Sequence, residues 1–136
     1  MKKSVLLVDD NNVDIFINRS VMTALGVVKE FHTAPNGQEA LEIIKLYQDG
    51  LIEIPDVILL DLNMPVMDGF GFIQAFQSLN FPDKGKVLII VLTSSSSTED
   101  ENRVKAMGIK HYLSKPLKQE SVQAILHQEF GNQRCA

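Results

Sequence analysis

Four short stretches of this chain each run into side chains that could do chemistry together. Val5-Leu6-Leu7-Val8 leads to Asp9-Asp10, and Val57-Ile58-Leu59-Leu60 leads to Asp61. Val87-Leu88-Ile89-Ile90-Val91-Leu92 leads to Thr93, and His111-Tyr112-Leu113-Ser114 leads to Lys115. If those ends meet, three carboxylates, a hydroxyl and an ammonium converge. Carboxylates ~4 Å apart repel by roughly 4 kcal/mol per pair at an effective dielectric of about 20, so such a group calls for a cation. Hard oxygen ligands at that density suit Mg2+, with Mn2+ as the alternative. A metal held by so few carboxylates keeps positions for water and for a phosphoryl oxygen. Lys115 supplies a second positive charge and Thr93 a hydroxyl donor. Phosphoryl transfer to a carboxylate nucleophile requires this set: positive charge against the equatorial oxygens and a placed acceptor. Taken singly, acids and threonines at strand ends also serve as helix caps and turn formers. The case for a site rests on their falling at the ends of neighbouring strands.

The elements that would bring them together follow from periodicity. The runs Val5–Val8, Val57–Leu60 and Val87–Leu92 are apolar throughout and too short for free helices. Strands buried on both faces of a parallel sheet have this pattern. Val28-Lys29-Glu30-Phe31-His32-Thr33 is mixed and His111–Ser114 is short, as suits sheet edges. The first, third and fourth strands are therefore expected to be central. Between the strands, Val13, Ile17, Val21 and Leu25 recur every four residues and Gly26 follows as a stop. Ala40, Leu41 and Ile44 mark a second helix starting near Asn36, and Phe72, Ile73, Phe76 and Leu79 a third. Ser97-Thr98-Glu99-Asp100 opens a fourth, with Ser97 as cap, which carries Val104, Ala106 and Met107 and stops at Gly108. The fifth carries Val122, Ile125, Leu126 and Phe130 and stops at Gly131. Leu46 to Pro55 is expected to be a connecting loop. The outcome is a doubly wound, flavodoxin-like (βα)5 α/β fold with the parallel strand order 2-1-3-4-5. Ligands of such sheets bind outside the carboxyl ends of the strands, where the acids, Thr93 and Lys115 fall.

Composition narrows the function classes. Apolar residues make up 45% and charged residues 22% of the 136, as in an ordinary folded domain rather than a disordered chain. A net charge of −4 offers no basic footprint, so no nucleic-acid partner is expected. Met1-Lys2-Lys3 could open a signal peptide, but the apolar run behind it stops at Asp9. No stretch approaches a membrane span, so no membrane association is expected. Cys135 has no intrachain partner, which excludes an internal disulfide and suits a reducing cytoplasm. A single domain is expected over residues 1–131, with 132–136 as a loose C-terminal tail.

The residues also resemble a known family, the receiver domains of two-component response regulators. Val8-Asp9-Asp10 looks like the family's acidic pair. Leu60-Asp61-Leu62-Asn63-Met64-Pro65-Val66-Met67-Asp68-Gly69 closely resembles its phosphoacceptor segment. Thr93 falls at the hydroxyl position, and Tyr112-Leu113-Ser114-Lys115-Pro116 looks like the switch aromatic followed by the lysine-proline pair. The likeness covers roughly residues 4 to 130. It implies that Asp61 accepts the phosphoryl group, with Thr93 and Lys115 holding its oxygens. It implies Mg2+ ligation by the carboxylates of Asp10 and Asp61 and the backbone carbonyl of Asn63, with Asp9 acting directly or through water. Tyr112, with Thr93, would be the switch, and the Lys115–Pro116 bond would be cis. Partners would be a sensor histidine kinase or histidine phosphotransfer protein. A further protein would be bound through the surface of the fourth helix, fifth strand and fifth helix. The implied protein is a stand-alone cytoplasmic phosphorylation switch or relay, not a metabolic enzyme.

The departures from the family pattern are small. Ser94 stands where alanine is frequent, and Lys118 opens the last helix without a capping side chain. One rival is a phosphatase of the haloacid-dehalogenase type, which also uses an aspartate nucleophile. It would carry that nucleophile on its first strand with a second aspartate two residues on, where this chain has Asn63. The other is a receiver-like interaction module that has lost its chemistry, which would lack site residues that are present here.

Overall fold

The computed structural model describes residues 2–81, 83–94 and 97–131. The expected tail with Cys135, together with Ser95 and Ser96, lies outside them. The elements alternate as expected. They are β1 (Lys3–Val8), α1 (Asn12–Ala24), β2 (Val28–Ala34), α2 (Gly37–Gln48), β3 (Val57–Asp61), α3 (Gly69–Ser78), β4 (Leu88–Thr93), α4 (Thr98–Ala106), β5 (His111–Ser114) and α5 (Gln119–Phe130). A short 3-10 turn, Lys84–Lys86, precedes β4. The strands are parallel in the order β2-β1-β3-β4-β5, so the mixed strands do lie at the edges.

Strand alternation divides the core in two. Leu6, Val8, Ile58, Leu60, Ile89 and Val91 face α2, α3 and α4, where they meet Ala40, Ile44, Phe72, Phe76 and Val104. Val5, Leu7, Val57, Leu59, Ile90 and Leu92 face α1 and α5, against Met22, Val122 and Ile125. Nearly all of these side chains are fully buried. At roughly 1.5–3 kcal/mol each, they outweigh any single polar interaction in the molecule.

Two expectations about helices need correction. The first concerns Leu46 to Pro55, whose opening residues are helical because α2 continues to Gln48. Asp49 is its C-cap and Gly50 follows at φ +78°. The Leu51 N–H donates to Leu46 O and the Gly50 N–H to Tyr47 O, the Schellman closure. Tyr47 holds this last turn in place, edge-on to Phe81 and donating its hydroxyl to Asp83 at 2.9 Å. The second concerns α1, where the later members of the stripe, Val21 and Leu25, pack against the core but its first member, Val13, does not. Val13 is 65% exposed and Phe16 69%, whereas Asn18 and Met22 are buried, with Ile15, Val21 and Leu25 packed beside them. A four-residue repeat drifts around a helix of 3.6 residues per turn, so its first members rotate out of contact.

Candidate functional site

Register places the acids. Val8 pairs with Leu60 and Asp61 with Leu92, so Asp9 and Asp61 stand level at the carboxyl ends of adjacent central strands. Both are buried, while Asp10 is exposed. Each of the three offers a carboxylate oxygen within 4.8 Å of the others. At that spacing like charges repel by about 3–4 kcal/mol per pair for an effective dielectric of about 20. Burial first, and the Asp9 charge second, push the Asp61 carboxyl up to about 6, against the opposing pull of Lys115 and the Asn63 N–H. Asn63 N–H reaches Asp61 Oδ1 only at 3.4 Å. These hard oxygen donors with excess negative charge fit a small divalent cation.

Lys115 enters from β5. Its own N–H donates to Thr93 O at 2.8 Å, tying the ends of β4 and β5, and the Lys115–Pro116 bond is cis. Its Nζ lies 2.8 Å from Asp14 Oδ2, 2.9 Å from Asp9 Oδ2 and 3.4 Å from Asp61 Oδ1. Burial works against its charge. The hydrogen bonds to Asp14 and Asp9, with the charges of Asp61 and Asp9, outweigh that and hold its pKa above the usual lysine value. Asp14 was not among the expected site residues. It sits in the first turn of α1, fixed there because the Asn11 side chain caps that turn and accepts from Val13 N and Asp14 N. The available signal was its position, an acid four residues past Asp10 at the start of the helix that leaves the site.

Thr93 is fully buried at the end of β4. Tyr112 is half-buried and packs against the core under α4. Its hydroxyl is buried without a hydrogen bond of standard geometry. Burial raises the Tyr112 pKa, and the nearby Thr93 acts in the opposite direction. After β3, Val66 is held at φ 71°, a left-handed conformation that is unusual for a β-branched residue. Met67 on its far side accepts from Gly37 N at 2.9 Å, which pins this loop to the start of α2. Asp68 caps α3 by accepting from Gly71 N. At the other ends of the chain's helices, Ser97 caps α4, whereas Lys118 gives α5 no side-chain cap.

No helix among the described residues is long and apolar enough to cross a membrane. The chain is similar to the "Probable chemotaxis protein CheY" of Rhizobium etli, at 30% identity over 96% of this chain and 94% of that protein. It is similar to part of the "Sensor histidine kinase CheAY" of Helicobacter pylori, at 34% identity over 90% of this chain but 14% of the kinase. Among solved structures, a two-component response regulator from Cytophaga hutchinsonii superposes with a TM-score of 0.84 at 28% identity, covering 96% of this chain and 99% of that one. The model of the response regulator receiver domain matches residues 5–127. On that match over nearly its whole length, the chain belongs to the receiver-domain family of two-component response regulators.

Proposed function

We propose that Asp61 takes a phosphoryl group from a phosphohistidine carried by a sensor histidine kinase or histidine phosphotransfer protein. The P–N bond breaks with its electron pair returning to the imidazole nitrogen, and a P–O bond forms to an Asp61 carboxylate oxygen. The observation that carries this reading is the placement of Asp61. It is a buried carboxylate at the end of a central strand, with an ammonium 3.4 Å away and two further acids within 4.8 Å. Thr93 and Lys115 would hold the phosphoryl oxygens. Asp10 and Asp61 would hold Mg2+ through carboxylates, Asn63 through its backbone carbonyl, and Asp9 directly or through water. When bound, the metal supplies positive charge against the oxygens of the group being transferred.

Receiver domains act as signalling switches rather than metabolic enzymes, and they work with histidine kinases or phosphotransfer proteins. Val13 and Phe16 on α1 and Val66 after β3 are exposed apolar side chains near the same end of the sheet. They suit the apolar part of a docking donor. Output would pass through the surface of α4, β5 and α5 to another protein, with Thr93 and Tyr112 as the switch. We take the domain as residues 1–131. Incubation with acetyl phosphate and Mg2+ should add one phosphoryl group. Asp61→Asn should take up none, and EDTA should block the wild type. Full labelling of Asp61→Asn would overturn the assignment.

A further inference from the structure

We infer that Asp14 is a positioning residue for Lys115: it holds the ammonium on the α1 side of the site and so limits how readily that ammonium moves to an anionic oxygen on Asp61. The inference rests on the reading of Asp61 as phosphoacceptor. An ammonium has three N–H donors. The two short contacts of Lys115 Nζ, 2.8 Å to Asp14 and 2.9 Å to Asp9, both go to acids other than Asp61, whose Oδ1 lies at 3.4 Å. Those two partners differ in kind. Asp9 belongs to the group of acids that fits a cation, and its other oxygen accepts from Asn11 N at 2.9 Å. A cation there would compete with Lys115 for Asp9. Asp14 stands outside that group, so its hold on Lys115 is independent of the cation.

The charges point the same way. Asp9, Asp14 and Asp61 all lie within 3.4 Å of the Lys115 ammonium, and Asp10 stands within 4.8 Å of Asp9 and Asp61. An anion arriving at Asp61 meets Asp14 as a like charge and as a competitor for its lysine. Removing the Asp14 charge while keeping its shape therefore favours the anion. The bland alternative is that Asp14 is an acid in a helix's first turn, interacting with the backbone dipole. That role would leave anion binding at Asp61 unchanged.

The test titrates beryllofluoride in the presence of Mg2+, following backbone amide shifts in the full chain. Asp14→Asn should bind the mimic about tenfold more tightly than wild type, the scale of one charge-assisted hydrogen bond released. Asp14→Glu, which keeps the charge, should stay close to wild type. In a Lys115→Ala background, Asp14→Asn should give a much smaller gain, because the competition it relieves is for that lysine. Mg2+ affinity without the mimic should be the same for Asp14→Asn and wild type. Unchanged or weaker mimic binding by Asp14→Asn overturns the inference, as does an equal gain in the Lys115→Ala background. A wild type that binds no mimic, or an Asp61→Asn that binds it equally, overturns the reading of Asp61 instead.

Discussion

Asp61 is where burial and the proposed role conflict. Its carboxyl titrates at about 6 in the folded chain against a reference value of 3.8, chiefly because burial penalises the charged form. The folded state therefore binds more protons than the unfolded state between those values. The stability associated with Asp61 is greatest at low pH and is lost as pH rises through about 6. In the proposed role the carboxylate must be ionised, so at neutral pH the domain carries this penalty until positive charge offsets it. Asp61→Asn keeps the shape and removes the charge. In EDTA at pH 7 it should be more stable than wild type by about 2–3 kcal/mol in urea unfolding, and at pH 4 the gap should close. Equal stability at pH 7 would mean that Asp61 is not penalised. Lys115 shows the opposite sign. Its raised pKa contributes stability that is fully present throughout the neutral range and lost only in strong alkali.

At the scale of elements, the site depends on how α3 meets the end of β3. Gly69 opens α3 and its N–H donates to Leu62 O at 2.9 Å. A Cβ there would lie 2.6 Å from Asp61 O and 2.8 Å from Leu62 Cα, both backbone atoms that cannot rotate away. Gly69→Ala should therefore destabilise by about 2 kcal/mol or more in thermal or urea unfolding. It should also slow acetyl-phosphate labelling by displacing Asp61. Gly85→Ala is the control, since a Cβ at that position meets nothing within 4 Å. Its effect should stay within about 0.5 kcal/mol. The dipeptide Asp68-Gly69 announces a turn before a helix, but the close approach that makes glycine obligatory appears only once β3 and α3 are packed. In α2, likewise, Asp49-Gly50 was a legible stop signal lying inside the segment expected to be a loop.

Across the whole molecule, the consequence to be tested is coupling from Asp61 to the α4-β5-α5 face. Thr93 and Tyr112 lie along that route, on the same side of the sheet as α4. The hydroxyl of Tyr112 is buried and interacts with Thr93 at its margin rather than through a hydrogen bond of standard geometry. In the proposed switch, inward and outward rings of Tyr112 are the two states. A phosphoryl group shifts the balance only through its differential contacts, of which Thr93 is the candidate on this side. Beryllofluoride added to wild type should shift amide resonances from Val104 to Leu126. Thr93→Ala should bind the mimic at Asp61 and lose most of those distant shifts. Equal distant shifts in both proteins would remove Thr93 from the route.

By itself, the sequence determined the element order, the central and edge strands and the set of acids at the strand ends. Those features are local. A run such as Val57–Leu60 can only be buried on both faces, and right-handed crossovers then leave few ways to order five strands. The decapeptide around Asp61 was legible by its resemblance to the phosphoacceptor segment of receiver domains, a family the chain matches over residues 5–127. Tertiary structure decided what those residues touch. Lys115 is 106 residues from Asp9 and 101 from Asp14, and no periodicity relates positions so far apart. Its choice of Asp14 depends on where α1 settles against the sheet and on the Asn11 cap that turns Asp14 inward. The same rotation of α1 buried Asn18 and left Val13 and Phe16 in solvent, against the four-residue stripe. The raised pKa of Asp61 is likewise a property of its surroundings, because burial and a neighbouring carboxylate exist only after β1 and β3 are side by side.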